Sequence, residues 1–204
     1  MELGTWSAFA LACFILSVIP GPSVFLVMGQ AISNGKKLAL ICIAGELFGG
    51  FWIMLLSLLG VGAAIAASPT LFGVIKWLGV IYLLYLGVNA IRAAMRSSPE
   101  NEKPVPTYRS SFRAGFLTAL FNPKSLVFYL AFFTQFVDSS EPLIEQYVLL
   151  TITAMSVAGL VLASYAMFAS RVKSYISTED SKRKFSGISG FLYLVGAGYV
   201  AVTR

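Results

Sequence analysis

The sequence predicts an all-α integral membrane protein with six transmembrane helices, arranged as two inverted three-helix repeats with proline-broken first and fourth helices. Three observations lead to this prediction. First, 57% of the 204 residues are hydrophobic and 12% are charged, whereas about 25% of the residues in a soluble domain are charged. Second, six apolar runs follow one another along the chain. Third, the basic residues gather in every second connection between those runs.

Six apolar segments cover most of the chain and define the predicted helices. They span residues 3–28, 38–67, 71–91, 112–137, 143–168 and 185–202. Each has about 18 residues or more, which is the length that an α-helix needs to cross a bilayer. The start of the sequence lacks the Lys/Arg cluster of a signal peptide, so we expect the first segment to remain as a membrane helix.

Basic residues in the loops predict the orientation of the helices. Of the 15 Lys and Arg residues, two lie in the first loop, five in the third and five in the fifth. The second loop has none, and the fourth carries acidic residues instead. Because basic loops stay in the cytoplasm, we expect these three loops inside and both termini outside. The same pattern accounts for the net charge of +6 without a nucleic-acid partner.

Two motifs recur between the halves of the chain. Residues 79–87 and 190–198 both read Gly-x-x-Tyr-Leu-x-x-x-Gly, in the third and sixth segments. The first segment contains PGPS at residues 20–23, and the fourth contains NPKS at residues 122–125. The predicted organisation is a first three-helix repeat over residues 1–95, a cytoplasmic linker over residues 96–111 and a second repeat over residues 112–204. An odd number of helices in each repeat inverts the second one.

The break in the first segment is a candidate substrate site. Proline has no N–H and cannot continue a helix, so Pro20, Gly21 and Pro22 free backbone groups at membrane depth. A second half-helix that begins at Pro22 directs the N–H groups of Ser23 and Val24 into a cavity. These N–H groups suit an anionic group such as a carboxylate. The simpler alternative is a structural proline kink.

The break in the fourth segment adds polar side chains near half depth. Asn122 offers an amide, Pro123 supplies the break, and Lys124 offers a cation. Transporters place paired helix interruptions beside their substrate, so we expect these three residues to contribute to the same substrate site. The alternative for Lys124 is that its ammonium group reaches back to the nearer membrane interface.

Glu46 is the one acidic residue, of nine, that lies deep inside an apolar segment, whereas Glu145 lies near the outer end of the fifth segment. A carboxyl group at this depth is costly and is a functional candidate by default. We expect it to carry a coupling proton; contact with a substrate ammonium, an ion pair with Lys124 and a place near the cytoplasmic interface are the alternatives. Gly45 and Gly49 form a Gly-x-x-x-Gly pattern that packs helices within one chain or between two copies, so a homodimer stays open.

Metal and redox chemistry find little support in the composition. There is no histidine, and the two cysteines, Cys13 and Cys42, lie in different segments without ligand-like spacing. Metal binding needs several oxygen, thiolate or imidazole ligands, and a thiol–disulfide carrier needs two cysteines that can meet. A metal-cation efflux transporter and a membrane thiol–disulfide electron carrier are therefore the minor alternatives, and we expect no cofactor and no metal site.

At these residues the chain resembles the LysE/RhtB family of bacterial amino-acid exporters. The resemblance rests on PGP at residues 20–22, NGKK at residues 34–37, the tyrosine–glycine motif at residues 79–87 and NPKS at residues 122–125. The order and spacing of these motifs cover nearly the whole chain.

The resemblance implies a multi-pass protein of the bacterial inner membrane that is a transporter and not an enzyme. Its expected function is secondary transport that exports amino acids or related small polar metabolites, coupled to proton influx. The expected partners are the amino acid, protons and the lipid bilayer. Two departures from many relatives leave the substrate open: the chain has TQF at residues 134–136 where those relatives have PQF, and Glu145 is the only acidic residue of the fifth segment. Glu46 is then the main coupling candidate.

Overall fold

The computed structural model describes residues 1–59, 68–95, 107–138 and 140–172, together with residues 187, 190, 191, 194, 195, 197 and 198. Helices account for most of these residues, and none of them lies in a β-strand. This agrees with the predicted all-α class. Residues 96–106, most of the fifth loop and most of the sixth predicted segment lie outside the described residues.

The described ranges form seven α-helices. In chain order they are α1 (Leu3–Val18), α2 (Pro22–Asn34), α3 (Lys36–Leu58), α4 (Pro69–Met95), α5 (Tyr108–Phe121), α6 (Pro123–Val127) and α7 (Leu143–Val172). A π-helical turn, Phe128–Phe132, and a 3-10 turn, Phe133–Phe136, follow α6.

Several of these helices are suited to a bilayer. Within the described ranges, α3 and α7 are each long and apolar enough to cross a membrane, and α1 with α2 meets the same criterion as one span bent by 56°. Large apolar side chains lie on the outside, such as Leu11 on α1 and Leu160 on α7, which are 59% and 70% exposed. Extended apolar surfaces of this kind are typical of contact with lipid.

The first break lies where the prolines predict it. α1 ends at Val18, and Ile19 has extended backbone angles, φ −63° and ψ 118°, because the ring of Pro20 disfavours a helical conformation in the residue before it. Gly21, also extended at φ −150° and ψ −169°, is the N-cap of α2. Pro22 lies in the first turn of α2, where its missing N–H leaves no helical hydrogen bond unmade.

The second break interrupts the fourth predicted segment. α5 begins before the predicted residue 112 because Thr107 and Ser110 form a capping box. Asn122, which is extended before Pro123, ends α5 and is the N-cap of α6. After five residues α6 passes into the π-helical and 3-10 turns. The fourth segment is therefore not one continuous α-helix.

An aromatic cluster places α1 beside the turns that follow α6. Phe9 is fully buried and stacks on Phe128 with 6.1 Å between the ring centroids. It meets Phe133 and Phe136 edge-on at 5.5 Å and 5.2 Å, the arrangement that the charge distribution of aromatic rings favours. This packing brings the two broken segments side by side.

Glycines let α3 and α5 pack with their backbones in contact. A Cβ at Gly115 would overlap the carbonyl oxygen of Cys42, and a Cβ at Gly45 would overlap that of Phe112. At Gly49 a Cβ would lie 2.8 Å from a further carbonyl oxygen of α5. The space beside Gly45 and Gly49 is thus filled by a helix of the same chain, in the close packing that small residues permit.

The recurring tyrosine–glycine motifs also meet through their glycines. A Cβ at Gly87 of α4 would lie 2.8 Å from the Leu194 side chain and 3.1 Å from the carbonyl oxygen of Gly190. A Cβ at Gly190 would lie 2.7 Å from the side chain of Ile91. Close approach of α4 and the last segment therefore requires glycine at both positions.

Substitution of Gly115 tests the contact between α3 and α5. We expect Gly115→Ala to lower the free energy of unfolding by about 1–3 kcal/mol, because the methyl group has no space unless the two helices separate. The measurement is the unfolding temperature of the protein in detergent micelles.

The matched control is Gly29→Ala in α2, where no atom lies within 4 Å of the added Cβ. This change should leave stability unchanged or raise it by up to about 1 kcal/mol, because alanine favours a helix over glycine. Equal unfolding temperatures for the Gly115 variant and the wild type would contradict the packing described above.

Candidate functional site

A cavity of about 80 Å³ lies between the two helix breaks. Its polar wall is formed by Ser23 of α2, Glu46 of α3, and Asn122 and Lys124 at the start of α6. Less polar side chains complete the lining, among them Cys13, Leu16, Met54, Phe128, Tyr129 and Met155.

A chain of hydrogen bonds connects both breaks to the buried acid. The Asn122 Nδ2 group donates to Ser23 Oγ at 3.0 Å, and Ser23 Oγ donates to Glu46 Oε2 at 2.9 Å. Asn122 is 1% exposed and Glu46 is 6% exposed. The amide, the hydroxyl and the carboxyl group thus form one network across α6, α2 and α3, and the two residues at its ends are buried.

The other carboxyl oxygen of Glu46, Oε1, is buried and has no hydrogen-bond partner within the described residues. A buried polar atom left without a partner costs about 1–3 kcal/mol, and more when it is charged. A cationic ligand on Oε1 removes this cost, and a proton removes the part of it that is due to the charge. Oε1 is therefore well placed to bind an ammonium group or to hold a proton.

The two half-helices that follow the breaks begin differently. At α6, the Asn122 side chain accepts a hydrogen bond from the Lys124 N–H at 3.1 Å, so this helix start is capped by its own residue. At α2, the N-cap is Gly21, which has no side-chain oxygen. The N–H groups of Ser23 and Val24 lie in this first turn, beside the cavity. The N-terminus of α2 is the end that remains suited to an anion.

Lys124 makes its contacts with the backbone of α1. Its Nζ donates to the carbonyl oxygens of Leu16 at 2.8 Å and Ile19 at 2.9 Å. Glu46 has its hydrogen bond from Ser23 instead. Gly21 lies close to the same ammonium group, since a Cβ there would be 3.5 Å from Nζ.

Comparison with known proteins places this geometry in a family. A family model described as LysE type translocator matches residues 14–204, a range that contains both breaks and Glu46. The chain belongs to the LysE type translocator family. Translocators move their substrates across a membrane without converting them, so the expectation of a transporter that is not an enzyme is confirmed. The family and the apolar helices together make the chain a multi-pass membrane protein.

Curated relatives align with this LysE type translocator over its full length. The homoserine/homoserine lactone efflux protein of Salmonella typhimurium is 30% identical over 205 residues, covering 100% of this chain and 99% of the relative. The protein of the same description from Salmonella typhi is also 30% identical, with the same coverage. An uncharacterized membrane protein of Vibrio cholerae is 28% identical over 203 residues, covering 100% of this chain and 98% of the relative. No solved structure matches the chain.

The structure of the translocator brings the side chains of most predicted site residues to one cavity. Ser23, Val24, Glu46, Asn122 and Lys124 all line it. The other predicted residues shape the backbone: those at positions 20–22 separate α1 from α2, and the proline at position 123 is the first residue of α6.

Several lining residues were not predicted from the sequence. Tyr129 follows the second break closely, and a polar aromatic residue in an apolar run is a signal that was available. Met54 and Met155 had no such signal, because an apolar residue at membrane depth looks the same whether it faces lipid or a cavity. Their position depends on how α3 and α7 are rotated in the bundle.

Neither cysteine has a thiol partner or a metal site in the described residues. Both are buried and free; Cys13 lines the cavity from α1, whereas the Cys42 carbonyl of α3 lies against Gly115. The described ranges contain no group of three or more Cys, Asp or Glu side chains that could hold a metal ion.

Asn122 has two structural roles that a single substitution tests. We expect Asn122→Ala to lower the free energy of unfolding by about 1–3 kcal/mol, because it removes the cap of α6 and the donor to Ser23. It should also reduce transport by disturbing the network that holds Glu46. Unfolding temperature and export are measured on the same preparations.

Thr107→Ala is the matched control, because Thr107 caps the exposed start of α5, at the opposite end of that helix from the break. Loss of this cap should cost about 0.5–2 kcal/mol while transport persists. If both variants affected export equally, Asn122 would have no role beyond helix capping.

Proposed function

We propose that this translocator exports small amino acids or closely related polar metabolites, with homoserine as the first candidate, in exchange for protons. Two relatives that are 30% identical over the whole chain are homoserine/homoserine lactone efflux proteins. The observation that carries the proposal is that Glu46 Oε1 has no hydrogen-bond partner among the described residues. It lies in a cavity that also borders the start of α2, where the N-cap is a glycine. One site then offers a partner to each end of a zwitterion.

The proposed binding mode uses the two open ends of the network. The substrate carboxylate accepts hydrogen bonds from the N–H groups of Ser23 and Val24, at the positive end of the α2 dipole. The substrate ammonium binds Glu46 Oε1. Asn122 holds the Ser23 hydroxyl, which directs its own proton to Oε2. A lactone shares the ammonium and one carbonyl oxygen with the amino acid, so the same two contacts serve both.

Proton coupling follows from competition for one atom. Because Ser23 already donates to Oε2, Oε1 is the oxygen of Glu46 that takes either a proton or the substrate ammonium. Binding of one excludes the other, since both place positive charge on the same buried oxygen. On one side of the membrane, substrate leaves as a proton binds Glu46. The protein then returns to its other orientation with Glu46 protonated, so the cycle exchanges substrate for a proton.

The proposed architecture is two inverted repeats around this cavity. Residues 1–95 form the first three-helix repeat, residues 96–111 the cytoplasmic linker, and residues 112–204 the second repeat. Support comes from the two proline breaks, which both border the cavity, and from the glycine contact between Gly87 and Gly190. Alternating access then consists of movement of one repeat against the other. In the bacterial inner membrane, both termini lie on the outer side.

Export of homoserine by cells tests the proposed function. We expect Glu46→Gln to reduce the homoserine that accumulates in the medium by about tenfold or more, a loss of roughly 1.4 kcal/mol or more in stabilisation. The amide cannot carry the charge that the ammonium requires. The measurement is mass spectrometry of medium and cells, normalised to the amount of protein in the membrane.

Glu145→Gln is the matched control, because Glu145 is an exposed acid in the first turn of α7. It should export as the wild type does. Full export by the Glu46 variant at every external pH would remove Glu46 from the mechanism. If a different metabolite accumulated in the medium and its export required Glu46, the proposed site would stand and the proposed substrate would change.

Proteoliposomes separate the two roles of Glu46. Labelled homoserine is followed in exchange for unlabelled homoserine and, separately, in uptake driven by a pH gradient. If Glu46 holds the coupling proton alone, Glu46→Gln should retain exchange and lose the response to the pH gradient. If Glu46 also binds the substrate ammonium, as proposed, both the exchange rate and the uptake driven by the pH gradient should fall by about tenfold or more.

Cysteine labelling tests the orientation. In a variant without Cys13 and Cys42, a single cysteine at Ser140, in the exposed loop before α7, should react with a membrane-impermeant maleimide in intact cells. A single cysteine at Thr107, at the start of α5, should react only after the cells are opened. The reverse pattern would invert the proposed topology.

A further inference from the structure

The end of α1 exposes backbone carbonyl groups that the helix itself cannot satisfy. The last carbonyls of any α-helix lack intrahelical partners, and Pro20 prevents a further turn that would supply them. The Ile15 carbonyl still accepts the Ile19 N–H at 3.2 Å. The carbonyls of Leu16, Val18 and Ile19 instead accept hydrogen bonds from side chains of other helices.

Two chemically different donors satisfy these carbonyls. The neutral hydroxyl of Tyr165, on α7, donates to the Val18 carbonyl at 2.8 Å. The ammonium group of Lys124, on α6, donates to Leu16 and Ile19 at 2.8 Å and 2.9 Å. The Tyr165 contact shows that a neutral hydroxyl is a sufficient hydrogen-bond donor for a carbonyl at this break. A lysine at membrane depth is far more costly than a hydroxyl, so the charge itself calls for an explanation.

The surroundings of the Lys124 ammonium are those of a cation site. Two carbonyl oxygens converge on it at hydrogen-bond distance, at the negative end of the α1 dipole. Gly21 borders the site, since a Cβ there would lie 3.5 Å from Nζ, at ordinary contact distance. Discontinuous helices of membrane transporters use unwound carbonyls and helix C-termini of this kind to hold a coupling cation.

We propose that the Leu16 and Ile19 carbonyl oxygens form a binding site for a primary ammonium group and that the side chain of Lys124 is its tethered, resident ligand. N–H donors directed at two oxygens suit an ammonium group, whereas a bare hard cation requires more oxygen ligands than two. Lys124 is on this view a positioning residue. It holds α6 against the end of α1, and it keeps the site filled so that no external cation is needed there.

This assignment separates Lys124 from the substrate contacts proposed above. With its ammonium engaged by the backbone of α1, Lys124 leaves Glu46 Oε1 open to substrate or proton. Lys124 also keeps a fixed positive charge at the cavity, and this charge lies near the expected position of the substrate carboxylate. The site does not depend on which metabolite is exported, and its test uses no substrate and no proton gradient.

Removal of the tether tests the site by chemical rescue. Lys124→Ala leaves the two carbonyls without a donor and opens space for a small amine. Lys124→Met is the matched control, because its long apolar side chain fills that space without charge. The unfolding temperatures of the wild type and both variants are measured in nanodiscs with methylammonium chloride or ethylammonium chloride, and with sodium chloride or choline chloride at the same ionic strength.

We expect the alkylammonium salts to raise the unfolding temperature of Lys124→Ala in a saturable manner, by about 2–4 °C. The wild type and Lys124→Met should show no such rise, because their sites are already filled. Equal stabilisation of all three proteins, equal stabilisation by sodium or choline, or no stabilisation of the Ala variant would each overturn the proposal.

Loss of the Ala variant during expression also gives a decisive result. Expression and extraction are then repeated with methylammonium chloride or with choline chloride present. Recovery of folded protein with methylammonium alone supports the ammonium site, and failure to recover it contradicts the site. Export by the Glu46 variant has no bearing on either outcome, so the two proposals stand or fall separately.

Discussion

The structure depends on one constraint: backbone N–H and C=O groups at membrane depth must find partners within the protein. The break at Pro20–Pro22 frees such groups in the middle of a membrane segment. The second break meets part of this need, because Lys124 donates to the carbonyls at the end of α1. At the start of α2, Asn122 donates to the side-chain hydroxyl of Ser23 rather than to a backbone group. Each half of the first broken helix is thus tied to the second.

The backbone groups on the two sides of the first break differ in their hydrogen bonding, and the difference shapes the candidate site. The carbonyl end of the first break is occupied by Lys124 and Tyr165. Within the described part of the chain, no side chain caps the N–H end, where the N-cap is Gly21, and one oxygen of Glu46 has no hydrogen-bond partner. The unfilled positions are a group of N–H donors and one acidic oxygen. They are the complements of the two charged ends of an amino acid.

Close helix packing brings the acid to this place. Glu46 follows Gly45 in α3, and a Cβ at Gly115 of α5 would lie only 3.0 Å from the Glu46 backbone nitrogen. The backbones of α3 and α5 are therefore in close contact beside Glu46. Larger residues at these glycines would move the carboxyl group away from Ser23, so the packing and the chemistry of the site rest on the same residues. We therefore expect substitutions at these glycines to lower stability and transport together.

The sequence by itself determined the all-α class, the positions of both breaks and the set of polar residues at membrane depth, because proline geometry and the cost of buried charge act locally. It did not reveal the early start of α5, the π-helical turn after α6 or the residues Met54 and Met155 in the cavity. Only the tertiary structure decided that Lys124 binds backbone carbonyls and that Glu46 binds Ser23. Those choices depend on which helices touch, and contacts between residues 23 to 108 positions apart leave no local pattern in the chain.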